Sequence, residues 1–573
     1  MTRHLPLLSL LLALRVVPAP SQSLPTANAS AASASMDTLI YRYQADEESL
    51  ARKYTLRESD VYYNRMERFY AQWAEALDAL RFESFSQSAQ VDYLLLKNRI
   101  AERRARLQRQ SAEYKAIKPL VPFSETAQNL ITERQRGATL NGKAVAQTFA
   151  ALGNEIKALE KSLAQKPKMP LGQAKYAARV VQGFSAGLQE MVKFYATYDP
   201  LFTWWTKAPF EGVVAALKNY ASALEAWNVP DNTKDDGTGI VGRPIGAEEF
   251  TKSLQFAMIA YTPEELIAIG NEEFRWCEKE MLKAAQDMGF GNDWKAALEK
   301  VKNDYVAPGE QPALINTLAE EAIEYVEKNN LVTVPAIAKE TWRMTMLTAE
   351  QQRISPFFLG GEVIQIAFPT ADMQHDDKMM SLRGNNKHFA RATVFHELIP
   401  GHHLQMYMTE RYNRQRGEFD TPFWIEGWAL YWEMLLWDRK FTNTPEDRVG
   451  ALFWRMHRCA RIIFSINYHL GKWTPKECID FLVEKVGHER ANAEAEVRRS
   501  VMGGYGPLYQ LAYMIGAKQF VALRKEVVGG GKMTEREFHD AVLQSGNIPI
   551  EMVRALLLEQ KLTKEHKTSW RFY

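Results

Sequence analysis

The sequence predicts a mainly α-helical, two-lobed protein with one small β element, and three observations lead there. From Met36 onward, apolar residues recur at three- and four-residue spacing between charged faces, the period of helices that bury one stripe. Proline and glycine clusters cut that pattern into helix-length pieces. At 573 residues the chain is long enough for more than one lobe.

In chain order, Arg3 and His4 precede the apolar run Leu5 to Leu14. That run has the length of an export signal's apolar centre and is too short to span a bilayer. Residues 1–23 are therefore expected to be a signal peptide, and the protein to be exported to a periplasmic or extracellular space. Residues 24–37, rich in Ala, Ser and Asn, are expected to be a flexible linker.

An N-terminal helical lobe is expected over 38–245. Helical stripes run through Trp73 to Leu80, Val91 to Ile100 and Ala150 to Leu163, with breaks at Lys118 to Pro122 and Pro167 to Pro170. The longest polar stretch, Asn228 to Gly246, suits a lobe boundary or a loop over a cleft. A second lobe, 246–573, contains two helix starts of one kind. Thr262-Pro263-Glu264-Glu265 and Thr474-Pro475-Lys476-Glu477 each offer an N-cap threonine, a proline at N1 and a glutamate at N3 for a capping box. Gly361 to Pro369 has β-branched and aromatic residues between glycine and proline, which predicts a strand. His375 with Asp376 and Asp377 is expected to be a solvated loop.

Composition excludes several partners. Lys plus Arg number 71 against 69 Asp plus Glu, a net charge of +2, so no basic excess points to nucleic acid. No run after residue 14 is apolar and long enough for a membrane span. Cys277, Cys459 and Cys478 are odd in number and widely spaced, which suits buried thiols and not a disulfide framework.

Eight of the eleven histidines fall between His375 and His488. Their centre is Phe395-His396-Glu397-Leu398-Ile399-Pro400-Gly401-His402-His403. Two histidines on one helix share a metal when they are four apart, because about 100° per residue returns them to one face. Here the second comes six or seven later, and an unbroken helix would turn or displace it away. Pro400 and Gly401 offer a remedy: a bulge over Ile399 to Gly401 absorbs two residues and swings His402 back toward His396. His403 would then face elsewhere, toward substrate, although the spacing alone leaves it open as the ligand. Glu397 is expected to be the general base of a zinc hydrolase. A third ligand is sought in Phe423 to Glu433, where Glu426 is costly to bury in an aromatic helix unless paired or bound to a cation. Glu433, two turns on, shares its face as a supporting or alternative ligand.

These residues resemble the DUF885 family, whose hallmark is HExxPGHH followed by EGWALYxE; they read HELIPGHH at 396–403 and EGWALYWE at 426–433. YTPEELIAIGNEEF (261–274), CARIIFSINYHLGKWT (459–474) and PLYQLAYMIG (507–516) extend the likeness. Asn467 and Ser500 depart from it, standing where Asp and Tyr are expected. The family resembles a distant branch of the gluzincin metallopeptidases of the converting-enzyme and thimet-oligopeptidase types. The resemblance implies an all-helical, two-lobed metallopeptidase scaffold, Zn²⁺ held by His396, His402 and Glu426, and a peptide or small amide substrate. It implies that Tyr513 stabilises an oxyanion, and offers Arg461 for a peptide carboxylate and His469 for orienting substrate. Each of those three also has an ordinary structural reading, and a non-peptide amide or ester hydrolase and a non-catalytic binding protein are the rival functions.

Overall fold

The computed structural model describes residues 35–229, 235–352, 357–502 and 504–573. The expected signal peptide and nearly all of the expected linker lie outside them. The described chain is mainly helical, with two short two-stranded sheets. The helices that frame the core and the site, numbered in chain order, begin with α1 (Met36–Lys53), α2 (Asp60–Asp78), α3 (Gln87–Ile117), α4 (Gly142–Ser162), α5 (Leu171–Ala196) and α6 (Pro200–Ala226). There follow α7 (Pro263–Asp287), α8 (Gln311–Lys328), α9 (Lys387–Glu397) and α10 (His402–Thr409). The last four are α11 (Pro422–Asp438), α12 (Pro445–His469), α13 (Arg490–Met502) and α14 (Tyr509–Val527).

Helix starts follow their caps. Both expected capping boxes form, Thr262 with Glu265 and Thr474 with Glu477. The expected loop at His375 is instead the first turn of a helix, His375–Gly384, although His375 and Asp376 are exposed. Asp376 and Asp377 sit where carboxylates favour a helix N-terminus, which is the physical reason for the difference.

Helices α4 and α5 each pack on α6, while α3 reaches toward the C-terminal half. Gln87 donates to the carbonyl of Ala555 at 2.8 Å and Asn98 to that of Phe256 at 2.8 Å. One contiguous apolar core includes residues from Met36 to Trp570, so packing continues past the expected boundary near residue 245. Arg416 anchors this union. It is 1% exposed, and its guanidinium donates to Asp92 at 2.7 Å, to the Ser545 carbonyl at 2.8 Å and to Ser88 at 2.8 Å. Arg416→Ala strands the buried Asp92 carboxylate, and we expect a loss of about 3–5 kcal/mol in urea denaturation. A loss within about 0.5 kcal/mol, typical of surface sites, would contradict that role.

The expected strand forms as β4 (Val363–Ile366), which pairs in parallel with β3 (Arg343–Met346) from Arg343↔Val363 to Met346↔Ile366. (β1 and β2, Met169–Pro170 and Asn228–Val229, form the other sheet.) Ile364 and Ile366 point down onto Ile315 and Leu318 of α8 and onto Ala390 and Val394 of α9. An antiparallel bridge between Leu359 and Gln365 folds the preceding residues back over the end of α9. Phe357 to Gly360, and not the strand itself, therefore line the pocket beside Glu397.

Helices α11 and α14 cross where both carry glycine. A Cβ on Gly427 would meet the Gly516 backbone at 2.6 Å, and one on Gly516 would meet the Phe423 carbonyl oxygen at 1.9 Å. This close approach sets Glu426 of α11 against the start of α14.

Candidate metal centre

Helix α9 stops at Glu397 because the chain leaves helical geometry there. Leu398 has φ −108°, ψ −112°, and Gly401 has φ −81°, ψ −129°. The Gly401 N–H turns back to the Phe395 carbonyl at 2.9 Å, and the His403 N–H to that of Leu398 at 3.0 Å. A side chain at Gly401 would place its Cβ 1.9 Å from the His396 carbonyl oxygen, so this turn requires glycine. The Trp428 indole N–H pins the bulge from α11 by donating to the Pro400 carbonyl at 2.9 Å. Helix α10 then restarts at His402 itself. The two imidazoles of His396 and His402 end 4.9 Å apart, nearly perpendicular at 89°.

His396, His402 and Glu426 bring one ligand atom each within 4.8 Å of one another. His396 Nδ1 lies 2.7 Å from Glu433 Oε1, and His402 Nδ1 lies 2.9 Å from Gln405 Oε1. With Nδ1–H donating in each case, both Nε2 atoms are turned inward, as in metal-ligating histidines held from behind by a hydrogen-bond acceptor. Glu426 Oε2 faces them, 3.9 Å from His396 Nε2 and 3.3 Å from His402 Nε2. Its other oxygen accepts the Tyr509 hydroxyl. Burial opposes charge on His402, yet the Glu426 carboxylate lifts its pKa to about 9. Burial likewise opposes the Glu426 anion, which His402 nevertheless holds at about 2. A proton thus joins the pair in the metal-free chain, and a cation entering the site would have to displace it.

Glu397 lies in the same pocket, 9% exposed, and burial pushes its carboxyl up to about 7, aided by Glu426 and Glu433 and opposed by His402. Tyr513 of α14 also lines the pocket, its ring 6.4 Å from that of His396 and parallel within 14°. Arg461 is there too, but Glu496 grips it through two bonds of 2.7 and 3.0 Å.

His403 and His469 are not brought to the pocket. His403 is 3% exposed, with Nε2 at 2.9 Å from the Ala338 carbonyl and Nδ1 at 3.3 Å from that of Gly361. It ties the loop ahead of β4 to the bulge. His469 ends α12, against Phe250 at 6.1 Å, and burial pushes it down to about 4. Of the expected departures, Asn467 donates to the Ile463 carbonyl at 2.8 Å and the Ser500 hydroxyl to that of Glu496 at 2.7 Å.

Sequence reasoning missed Gln405, Tyr509, Arg458, Glu496 and Arg499. Gln405 had a signal, standing one turn after His402 on the same face. Tyr505, Tyr509 and Tyr513 share a four-residue spacing that marks one wall. Nothing local foretold that Glu496 would pair with Arg461 or meet Arg499 at 3.1 Å.

The family model described as "Bacterial protein of unknown function (DUF885)" matches residues 51–557. The chain belongs to DUF885. Two solved structures share the fold of this DUF885 chain. One, described as "a putative lipoprotein of unknown function" from Shewanella oneidensis, is 18% identical with a TM-score of 0.66, over 92% of this chain and 100% of that one. The other, described as "the putative lipoprotein" from Colwellia psychrerythraea, is 16% identical with a TM-score of 0.57, over 92% and 99%. At such identities the likeness is one of fold. No curated protein sequence matches the chain. The DUF885 description assigns no reaction.

Proposed function

We propose that this protein is a zinc-dependent hydrolase of peptide bonds, acting on short peptides. The observation that carries this reading is the convergence of His396 Nε2, His402 Nε2 and Glu426 Oε2, each oriented from behind by a separate partner. Two imidazoles and one carboxylate suit zinc, which in catalytic sites takes three protein ligands and keeps one position open. When bound, zinc would supply Lewis acidity toward the scissile carbonyl and lower the pKa of water.

Glu397 accepts a proton from the attacking water and returns it to the leaving amine. Burial, with the Glu426 and Glu433 carboxylates nearby, raises the basicity of Glu397 in the metal-free chain, the direction a general base needs. Glu433 fixes the His396 tautomer. Tyr513 donates its phenol hydrogen to the developing oxyanion. These residues all fall in 246–573, the proposed catalytic lobe, with 38–245 as the facing lobe. Export is supported by the apolar run Leu5 to Leu14 and by the description of both structural relatives as a "putative lipoprotein". No described helix is long and apolar enough to cross a membrane.

A peptide-library digest tests the reading. Cleavage should vanish when metal is chelated and return with zinc. Metal-loaded, folded protein that cleaves no peptide but hydrolyses a simple amide or ester would move the function to non-peptide substrates.

A further inference from the structure

Arg458 of α12 is 5% exposed and lines the pocket beside His396 and Glu426. Its guanidinium lies over two rings, Trp454 at 5.1 Å and Tyr513 at 5.3 Å. Its Nε has no hydrogen-bond partner. The carboxylate oxygen it approaches, Glu433 Oε1, stays 3.7 Å from Nη2 and already accepts from His396 Nδ1. Its neighbours are better supplied: Arg461 holds both oxygens of Glu496, and Arg499 meets the same carboxylate. Glu397 and Glu426 line the same pocket, but among the described residues Arg458 has no carboxylate oxygen closer than the 3.7 Å of Glu433, whereas Arg461 and Arg499 reach Glu496 at 2.7 and 3.1 Å. A buried guanidinium with unmet donors is costly, and an anion entering the pocket would relieve it.

The cavity's shape limits what enters. It measures about 180 Å³, close to the roughly 150 Å³ that accommodates a benzene ring. Phe357, Phe389 and Trp454 give it an aromatic side. Tyr509 lines both this cavity and a second one of about 530 Å³, which Asn98, Arg99, Pro422 and Leu508 also line. The smaller space suits one residue, and the larger suits the rest of a chain.

We propose that Arg458 binds the C-terminal carboxylate of the substrate, so that the protein releases one apolar or aromatic residue at a time from peptide C-termini. This rests on the hydrolase reading above. The bond broken is the last amide: the water oxygen joins the acyl carbon, the C–N bond breaks, and the proton held by Glu397 passes to the amine of the released residue. The site assigned to the substrate carboxylate thereby moves from Arg461, saturated by Glu496, to Arg458.

The test compares N-benzoyl-glycyl-phenylalanine with its C-terminal amide on zinc-loaded protein. Calorimetric titration of N-acetyl-phenylalanine and its amide into metal-free protein runs beside it. The free acid should be cleaved with a kcat/KM at least about tenfold above the amide and should bind more tightly, the scale of one charge-assisted hydrogen bond. In Arg458→Gln, with zinc content retained, both ratios should fall toward one, and Arg458→Lys should restore part of each. Equal cleavage of acid and amide by wild type would overturn the subsite and leave the hydrolase standing. Cleavage of neither, with acid-selective binding that Arg458→Gln abolishes, would keep the subsite and sink the hydrolase. Equal binding of acid and amide by wild type would overturn the inference.

Discussion

Glu397→Gln should lower peptide hydrolysis by roughly 10²- to 10⁴-fold, the contribution of a positioned acid–base group, while zinc content stays at the wild-type level. The substitution keeps the size of the side chain and removes only the ability to take a proton. Because burial already disfavours the Glu397 anion, a neutral amide at that position should leave thermal stability equal or higher. That combination separates loss of a base from loss of a fold. The pH profile supplies a second reading of the same residue. Activity requires ionised Glu397, whose carboxyl sits at about 7 without metal, and a cation beside it can only lower that value. Wild-type kcat/KM should therefore fall on the acid side along a limb whose midpoint lies at or below pH 7. A Glu397→Gln protein as active as wild type would remove Glu397 from the mechanism.

Much of this site was legible in the sequence because its oddities were local. Pro400 and Gly401 between two histidines spoil helical spacing, and a bulge is the cheapest way to restore a shared face. The structure has that bulge, with α9 ending at Glu397 and α10 restarting at His402. Glu426 stood out as a carboxylate within an aromatic helix, and it is 5% exposed among Trp424, Trp428 and Trp432. The capping boxes at Thr262 and Thr474 were legible for the same reason, since each is complete within four residues.

What escaped depends on contacts between distant segments. The Trp428 bond to Pro400, the Tyr509 bond to Glu426 and the Glu496 grip on Arg461 each join different helices, and no local spacing encodes them. The β3 strand was invisible for another reason. Arg343 to Met346 shows no clean alternation, and it pairs in parallel with a strand some twenty residues later. His403 illustrates the limit in reverse: adjacency to His402 suggested chemistry, while its ring is spent on the backbone carbonyls of Ala338 and Gly361.

The two neighbouring histidines therefore have opposite expected phenotypes. His402→Ala removes one of three ligands and leaves Glu426 facing His396 alone. Zinc affinity should drop by more than the roughly 10- to 100-fold that follows loss of a group hydrogen-bonded to a ligand. His403→Ala touches no ligand but frees two buried carbonyls, so it should cost about 1–3 kcal/mol of stability and leave the metal in place.

The most direct test is elemental analysis of purified wild type beside His402→Ala and His403→Ala, each dialysed after zinc is supplied. About one zinc per chain in wild type and His403→Ala, and almost none in His402→Ala, is the result expected of a centre built from His396, His402 and Glu426. Loss of zinc in His403→Ala alone, or no retained metal in folded wild type, would contradict it.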